Sequence, residues 1–334
     1  MNSVFCFGEL LLRMSPALNK EWIRNTGMTA YIGGAELNVA NALAKWQVPV
    51  KYFTALPDNY LSKEIIEHLE DSKIDCSAIH ISGNRIGAYY LPQGTDLKHA
   101  GVIYDREYSS FSALKPGMIN WGKVLEGCTW FHFSAISPAI SEDAAAVCKE
   151  ALQAASAKGI TISVDLNYRS KLWKYGKEPV KIMPALVEYC DVIMGNIWSA
   201  ETLLGIPSTL PDSIGKTKQE LIEAASVSIS TLQQQFPKAQ TFGYTFRLDK
   251  EYFAVLQHKK EEAVSGIYTI GEVKDKVGTG DCFMAGLIYG LYHDKFLKEI
   301  IDFAAAAAVG KLYEIGDSTK QTIEDVKKIM EHAK

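Results

Sequence analysis

Strand-length apolar runs alternate with helix-period segments along most of this chain, and that alternation limits the fold more than any other feature. A mainly parallel sheet covered by helices on both faces satisfies it, because every parallel crossover needs a helix-sized connection. The strand-like runs are Val4–Phe7, Val50–Ala55, Thr129–Ser134, Ile160–Asp165, Val192–Met194, Thr241–Thr245 and Tyr252–Leu256. Helical apolar spacing marks Ala35–Trp46, Leu61–Ser72, Glu142–Lys158, Lys218–Gln235, Asp281–Tyr292 and Leu297–Tyr313. The expected architecture is doubly wound α/β.

Leu10–Ile32 and Arg85–Ala113 break the alternation. They lack helical periodicity, are rich in Tyr, Gly and Ser, and read as short strands with turns. The simplest arrangement is a small β-sheet lid, residues 10–32 and 85–113, inserted twice into an α/β domain made of residues 1–9, 33–84 and 114–334.

A chain of 334 residues with 47% hydrophobic and 22% charged content has enough material for such a core and does not fit disordered or fibrous classes. Its 35 Lys and Arg against 39 Asp and Glu form no long basic stripe, so no nucleic-acid partner is expected. The Ala-rich run Phe303–Val309 is stopped by Lys311, short of the roughly 18 apolar residues of a membrane span. The N-terminal residues lack the basic region of a signal peptide. Cys6, Cys76, Cys128, Cys148, Cys190 and Cys282 are scattered without metal-type spacing and read as reduced core residues. A cytoplasmic protein is expected.

The sharpest local signal is the run Asp275–Gly286, in which Gly278, Thr279 and Gly280 form a turn leading straight into an apolar helix. Without Cβ atoms, Gly278 and Gly280 let backbone amides turn toward an anion at the positive end of the helix. Asp281 is either chemically active there or a first-turn residue that complements the helix dipole. The run is neither a Walker A loop nor a dinucleotide fingerprint, and protein-kinase motifs are absent. Gly33 and Gly34 open another helix whose small-residue face carries Asn38 and Asn41, suiting either close approach to a ligand or a simple turn. Asp165, Asn167 and Arg169 fall at the carboxyl end of a buried strand, where open α/β sheets bind ligands, although Asp165 and Asn167 are also good loop caps. Cys282 and His132 read as core residues.

Together the Gly33-Gly34 to Asn38 helix and the Asp275-x-x-Gly278-Thr279-Gly280-Asp281 turn resemble the two signatures of the ribokinase-like, or PfkB, sugar kinases. The resemblance spans essentially the whole chain. Within that family, Gly8-Glu9, Ser134–Ser137 and Asp165–Trp173 are most similar to the 2-keto-3-deoxygluconate kinases, while fructokinases share the Asp-x-Asn-x-Arg-x-x-x-Trp pattern. The resemblance implies ATP-dependent phosphorylation of the 6-hydroxyl of 2-keto-3-deoxygluconate, with Mg²⁺ on the phosphates. Asp281 is then the general base, and the amides of Gly278, Thr279 and Gly280 form an anion hole.

Gly33, Gly34, Asn38, Tyr89, Tyr104, Arg106 and Arg169 are implied substrate residues, with Asp165 and Asn167 beside them. Asn196, Thr245, Gly278 and Gly280 are implied on the nucleotide side, and Arg247, by its own charge, is read there as a partner for phosphate. Paired guanidinium groups, Arg106 and Arg169, suit a carboxylate, because each fork can bind two oxygens. Each also has a plainer reading: Asp105-Arg106-Glu107 as a solvated charge cluster, and Arg169 in a local ion pair. The lid is further implied to serve as a subunit contact, giving a homodimer or higher homo-oligomer.

The chain departs from the family pattern in three places, one of which, Leu56–Ser62 without the usual glycines around Asp58, reads as structural. Ser199 stands where the family usually carries the Glu of N-x-x-E, with Glu201 two residues on, so no metal ligand is assigned. Arg247 replaces a usual glycine beside Thr245. Competing readings are a fructokinase or other ketose kinase, and a non-catalytic sugar- or nucleotide-binding regulator.

Overall fold

In strand Ser3–Phe7, alternation sends Phe5 and Phe7 to one side and Val4 and Cys6 to the other, and all four are buried. A strand buried on both faces belongs at the centre of a helix-covered sheet. The computed structural model places it there, and describes residues 2–16, 22, 27–92 and 101–334. From this strand the chain moves outward to Val50–Phe53 and Ile74–Asp75. It then returns to the other side with Cys128–Ser134, Thr161–Asp165, Val192–Gly195 and Thr241–Arg247. These strands run parallel. The strand order therefore reverses between Ser3–Phe7 and Cys128–Ser134, and a crevice opens at their carboxyl ends, the usual ligand position in open α/β sheets.

Phe5 stacks on Phe131 at 5.4 Å on one face, while Trp46 packs edge-on to Phe303 at 5.1 Å on the other. Helix Leu297–Lys311 lies unusually close to helix Thr279–Tyr292. A Cβ on Gly286 would stand 2.5 Å from the Ala304 Cα, so a glycine facing the alanine run permits this approach.

Several expected elements differ in detail. Val50–Ala55 divides after Phe53, and Ala55–Leu56 pairs instead with His80–Ile81. The strand Glu251–His258 is antiparallel to Thr241–Arg247, because the few residues between them can make only a hairpin. Helix Ile197–Leu204 is only two turns long, too short for the spacing of Ile197, Ala200, Leu203 and Leu204 to stand out as a period. The C-terminal helix Ile323–Met330 buries only Val326 fully, and its legible signal was the Thr322–Asp325 capping box.

A second sheet joins Met28–Gly33, Leu11–Pro16, Gly87–Tyr90 and Ile103–Asp105. Leu11–Pro16 pairs antiparallel with Met28–Gly33 and parallel with Gly87–Tyr90. Parts of the expected lid, residues 17–21, 23–26 and 93–100, lie outside the described residues. Among the described residues, no helix is long and apolar enough to cross a membrane.

Candidate active site

The strand carboxyl ends, the glycine turn and the second sheet enclose a cavity of about 690 Å³. Except for Gly33, every residue singled out in the sequence as catalytic, substrate-binding or nucleotide-binding lines it. Gly33 packs behind the wall, where an added Cβ would lie 2.1 Å from the Asp317 carboxylate.

Asp281 occupies the first turn of helix Thr279–Tyr292 and is nearly buried. Asn38, one turn into helix Ala35–Lys45, donates its Nδ2 hydrogen bond to Asp281 Oδ2 at 2.7 Å, tying the two glycine-led helices together. Burial pushes the Asp281 carboxyl up to about 6, against the opposing pull of the Asn38 hydrogen bond and the Arg169 charge. A carboxylate so tuned can accept a proton near neutral pH.

Gly278 holds the turn with φ 80°. Amides in the first turn of a helix lack intrahelical carbonyl partners, so Thr279, Gly280 and Asp281 present donors at the cavity wall. A Cβ on Gly278 would meet the Asp317 carbonyl at 2.0 Å, whereas one on Gly280 would meet nothing within 4 Å. Gly278→Ala is therefore expected to lose at least about 1 to 2 kcal/mol from left-handed backbone strain alone. Gly280→Ala should melt near the wild-type temperature, and equal losses in the two variants would contradict this account of the turn.

Arg106 is not part of a solvated cluster. It is buried, and its Nε donates to Glu9 Oε2 at 2.8 Å while Nη2 contacts the same oxygen and Ser109 Oγ donates to Glu9 Oε1. Its charge is thus balanced inside the protein. Arg169 is half-buried and directs one weak hydrogen bond to the Tyr168 carbonyl at 3.5 Å, which leaves it the less committed guanidinium of the two. Tyr104 packs beside Tyr89 and within 5.8 Å of the Arg106 guanidinium. Asp165 and Asn167 line the cavity at the end of strand Thr161–Asp165.

On the far side, Asn196 caps helix Ile197–Leu204 by accepting from the Ser199 amide at 2.8 Å, and Ser199 Oγ receives the Asn196 amide at 2.9 Å. Ser199 thus completes a capping box and is committed to the helix end. Thr245, Arg247 and Lys276 also line the cavity.

Four groups were not legible in the sequence. Glu36 Oε1 receives the Ser134 amide at 2.9 Å and the Ser134 hydroxyl at 2.6 Å; burial raises its carboxyl to about 7. Gly8 makes room for it, since a Cβ there would stand 1.9 Å from Glu36 Oε2. Asp317 accepts from the Tyr89 hydroxyl at 2.7 Å, and Arg13 Nε lies 2.8 Å from its other oxygen as a charge contact off the hydrogen-bond line. Arg13 Nη2 donates to Asp275 Oδ2 at 2.8 Å. The next residue, Ser318, donates to Asn38 Oδ1 at 3.2 Å and accepts from Asn41 at 2.9 Å. The loop after the Ala-rich helix therefore joins the second sheet, the first helix and the glycine turn. No sequence motif marks it beyond Gly316-Asp317-Ser318, which reads as an ordinary turn.

Comparison with known proteins gives this ribokinase-like α/β fold its family. A model described as "pfkB family carbohydrate kinase" matches residues 1–322, and the chain belongs to that family. It is similar to the 2-dehydro-3-deoxygluconokinase of Thermotoga maritima, with 32% identity, a TM-score of 0.89, and coverage of 99% of this chain and 100% of that one. A 2-dehydro-3-deoxygalactonokinase of Haloferax volcanii is 25% identical over 97% of this chain and 95% of its own length. A 5-dehydro-2-deoxygluconokinase of Geobacillus thermodenitrificans is 21% identical over 92% of this chain and 86% of its own length. The protein is a carbohydrate kinase.

Proposed function

We propose that the protein transfers the γ-phosphoryl group of ATP to the 6-hydroxyl of a 2-keto-3-deoxy sugar acid, 2-keto-3-deoxygluconate in the first instance. The observation that carries this reading is the buried Asp281 at the glycine turn, held by Asn38 and sharing its cavity with Arg169. The names of the Thermotoga and Haloferax relatives support the substrate class.

In this reading Asp281 accepts the hydroxyl proton as the oxygen attacks, and the amides of Thr279 and Gly280 face the charge that accumulates on the transferring group. Phosphoryl transfer depends mostly on such positioning and charge stabilisation. Tyr89, Tyr104 and Asn167 orient the sugar, and Arg169 receives its carboxylate. Asn196, Thr245 and Arg247 lie on the nucleotide side, and the second sheet acts as a lid that excludes water.

Among the described residues no group of three His, Cys, Asp or Glu side chains forms a metal cage, and Ser199 is committed to its cap. Mg²⁺ bound with ATP would supply neutralisation of phosphate charge there.

A neutral ketose is the second reading, favoured by one observation: Glu9 already balances Arg106. The test is ATP-dependent phosphorylation of 2-keto-3-deoxygluconate, 2-keto-3-deoxygalactonate, fructose and ribose by wild type and Arg169→Ala. The expected result is a preference for the keto acids, with Arg169→Ala raising KM for them by roughly 10- to 100-fold, as for loss of a charged hydrogen bond of about 1.5 to 3 kcal/mol. Preference for fructose with an indifferent Arg169→Ala would transfer the assignment to the ketose reading.

A further inference from the structure

Lys311 ends the Ala-rich helix and is wholly buried, an uncommon place for an ammonium group. Its Nζ donates to the Gly316 carbonyl at 2.8 Å and reaches the Glu314 carbonyl at 3.4 Å. It sits beneath the glycine turn, where a Cβ built on Gly278 would lie 3.3 Å from Lys311 Cε. Asp275, Glu314, Cys282 and Asp317 face it, and its charge also reaches Asp281. Burial lowers its pKa, and the carboxylates oppose that.

The charges behind the turn nearly balance. Arg13 and Lys311 are buried cations, and Asp275 and Asp317 are buried carboxylates. Glu314 is half-buried and bonded to Thr319 and the Lys320 amide. Without Lys311, the wholly buried set would carry a net negative charge directly behind donors meant to face an anion. Charges in a low-dielectric interior are poorly screened, so that excess would be felt at the cavity wall.

We propose that Lys311 is a positioning residue for phosphoryl transfer, an internal cation that balances the carboxylates behind Gly278 so that the turn presents positive potential to the transferring group. This rests on the kinase reading above. It assigns a role to a group that lies behind the cavity wall and does not line it.

The experiment compares wild type, Lys311→Met, Lys311→Ala and the charge-balanced Asp275→Asn/Lys311→Met, with folding checked by circular dichroism. Lys311→Met is expected to lower kcat about 100-fold, as for loss of one anion-hole donor, with the sugar KM changed less than about threefold. Ethylammonium chloride should restore kcat of Lys311→Ala by about tenfold or more, whereas tetramethylammonium chloride, too large for the vacated space, should not. The double variant should recover much of the loss, because the charges behind the turn again cancel.

A folded Lys311→Met with near wild-type kcat, an effect confined to KM, or equal response to the two ammonium salts would overturn the proposal. If Lys311→Met does not fold, a folded and active double variant supports the proposal and an unfolded one overturns it. Absence of sugar phosphorylation by the wild type would instead remove the kinase reading itself.

Discussion

Replacing Asp281 by Asn will slow turnover by about a hundredfold or more and at the same time make the protein more stable. The two effects share one cause. Asp281 is buried, so its carboxyl titrates at about 6 in the folded protein, above its ordinary 3.8. The folded state therefore binds this proton more tightly than the unfolded chain does, and stability present at low pH is lost as pH rises through about 6. At neutral pH the charged form costs on the order of 1 to 3 kcal/mol. Asn keeps an oxygen for Asn38 to bond and carries no charge, so Tm should rise by a few degrees. It cannot accept the hydroxyl proton, and kcat should fall by about 10²- to 10⁴-fold. In the wild type, kcat/KM should fall about tenfold per pH unit below about 6, since only the carboxylate acts as base. A variant that keeps wild-type kcat, or one that loses activity only by unfolding, would contradict this role.

Arg13→Met is expected to cost about 3 to 5 kcal/mol, the usual loss when one partner of a buried ion pair is removed. Arg13 and both carboxylates it meets, Asp275 and Asp317, are shielded from solvent. The Tyr31 ring also covers the guanidinium at 4.4 Å. Methionine would fill much of the volume but strand two buried carboxylates. Asp317 would keep its Tyr89 hydrogen bond, and Asp275 its bonds from Val277 and Gly316 amides. Because Arg13 comes from the second sheet and Asp275 from the glycine turn, the same change should loosen the lid against the cavity. Urea unfolding with a loss below about 1 kcal/mol would show that the pair is energetically idle.

Local pattern carried the central sheet and its covering helices, because buried parallel strands and amphipathic helices have periods that survive in the sequence. Asp281, Asn38 and the glycine turn were legible as cavity-wall residues for a similar reason, since each belongs to a short glycine-led helix start whose residues are neighbours in sequence. Asp317 was not. Its role depends on a carbonyl against Gly278, a tyrosine from the second sheet and an arginine 304 residues earlier in the chain, and no spacing encodes such a meeting. Arg106 was placed at the cavity, yet its partner Glu9 lies 97 residues away, so a buried pair looked like a surface cluster. Glu36 shows the same limit: an acid in a helix first turn is ordinary, and only its contact with Ser134 and the bare Gly8 backbone makes it distinctive.

The most direct test of the kinase account is the position of phosphate in the product. The wild-type enzyme, 2-keto-3-deoxygluconate and ATP would be followed by phosphorus and carbon NMR. Stoichiometric ADP and phosphate on the terminal carbon, formed about a hundredfold or more slowly by Asp281→Asn, is the predicted result; release of inorganic phosphate alone, or phosphorylation at another hydroxyl, would contradict it.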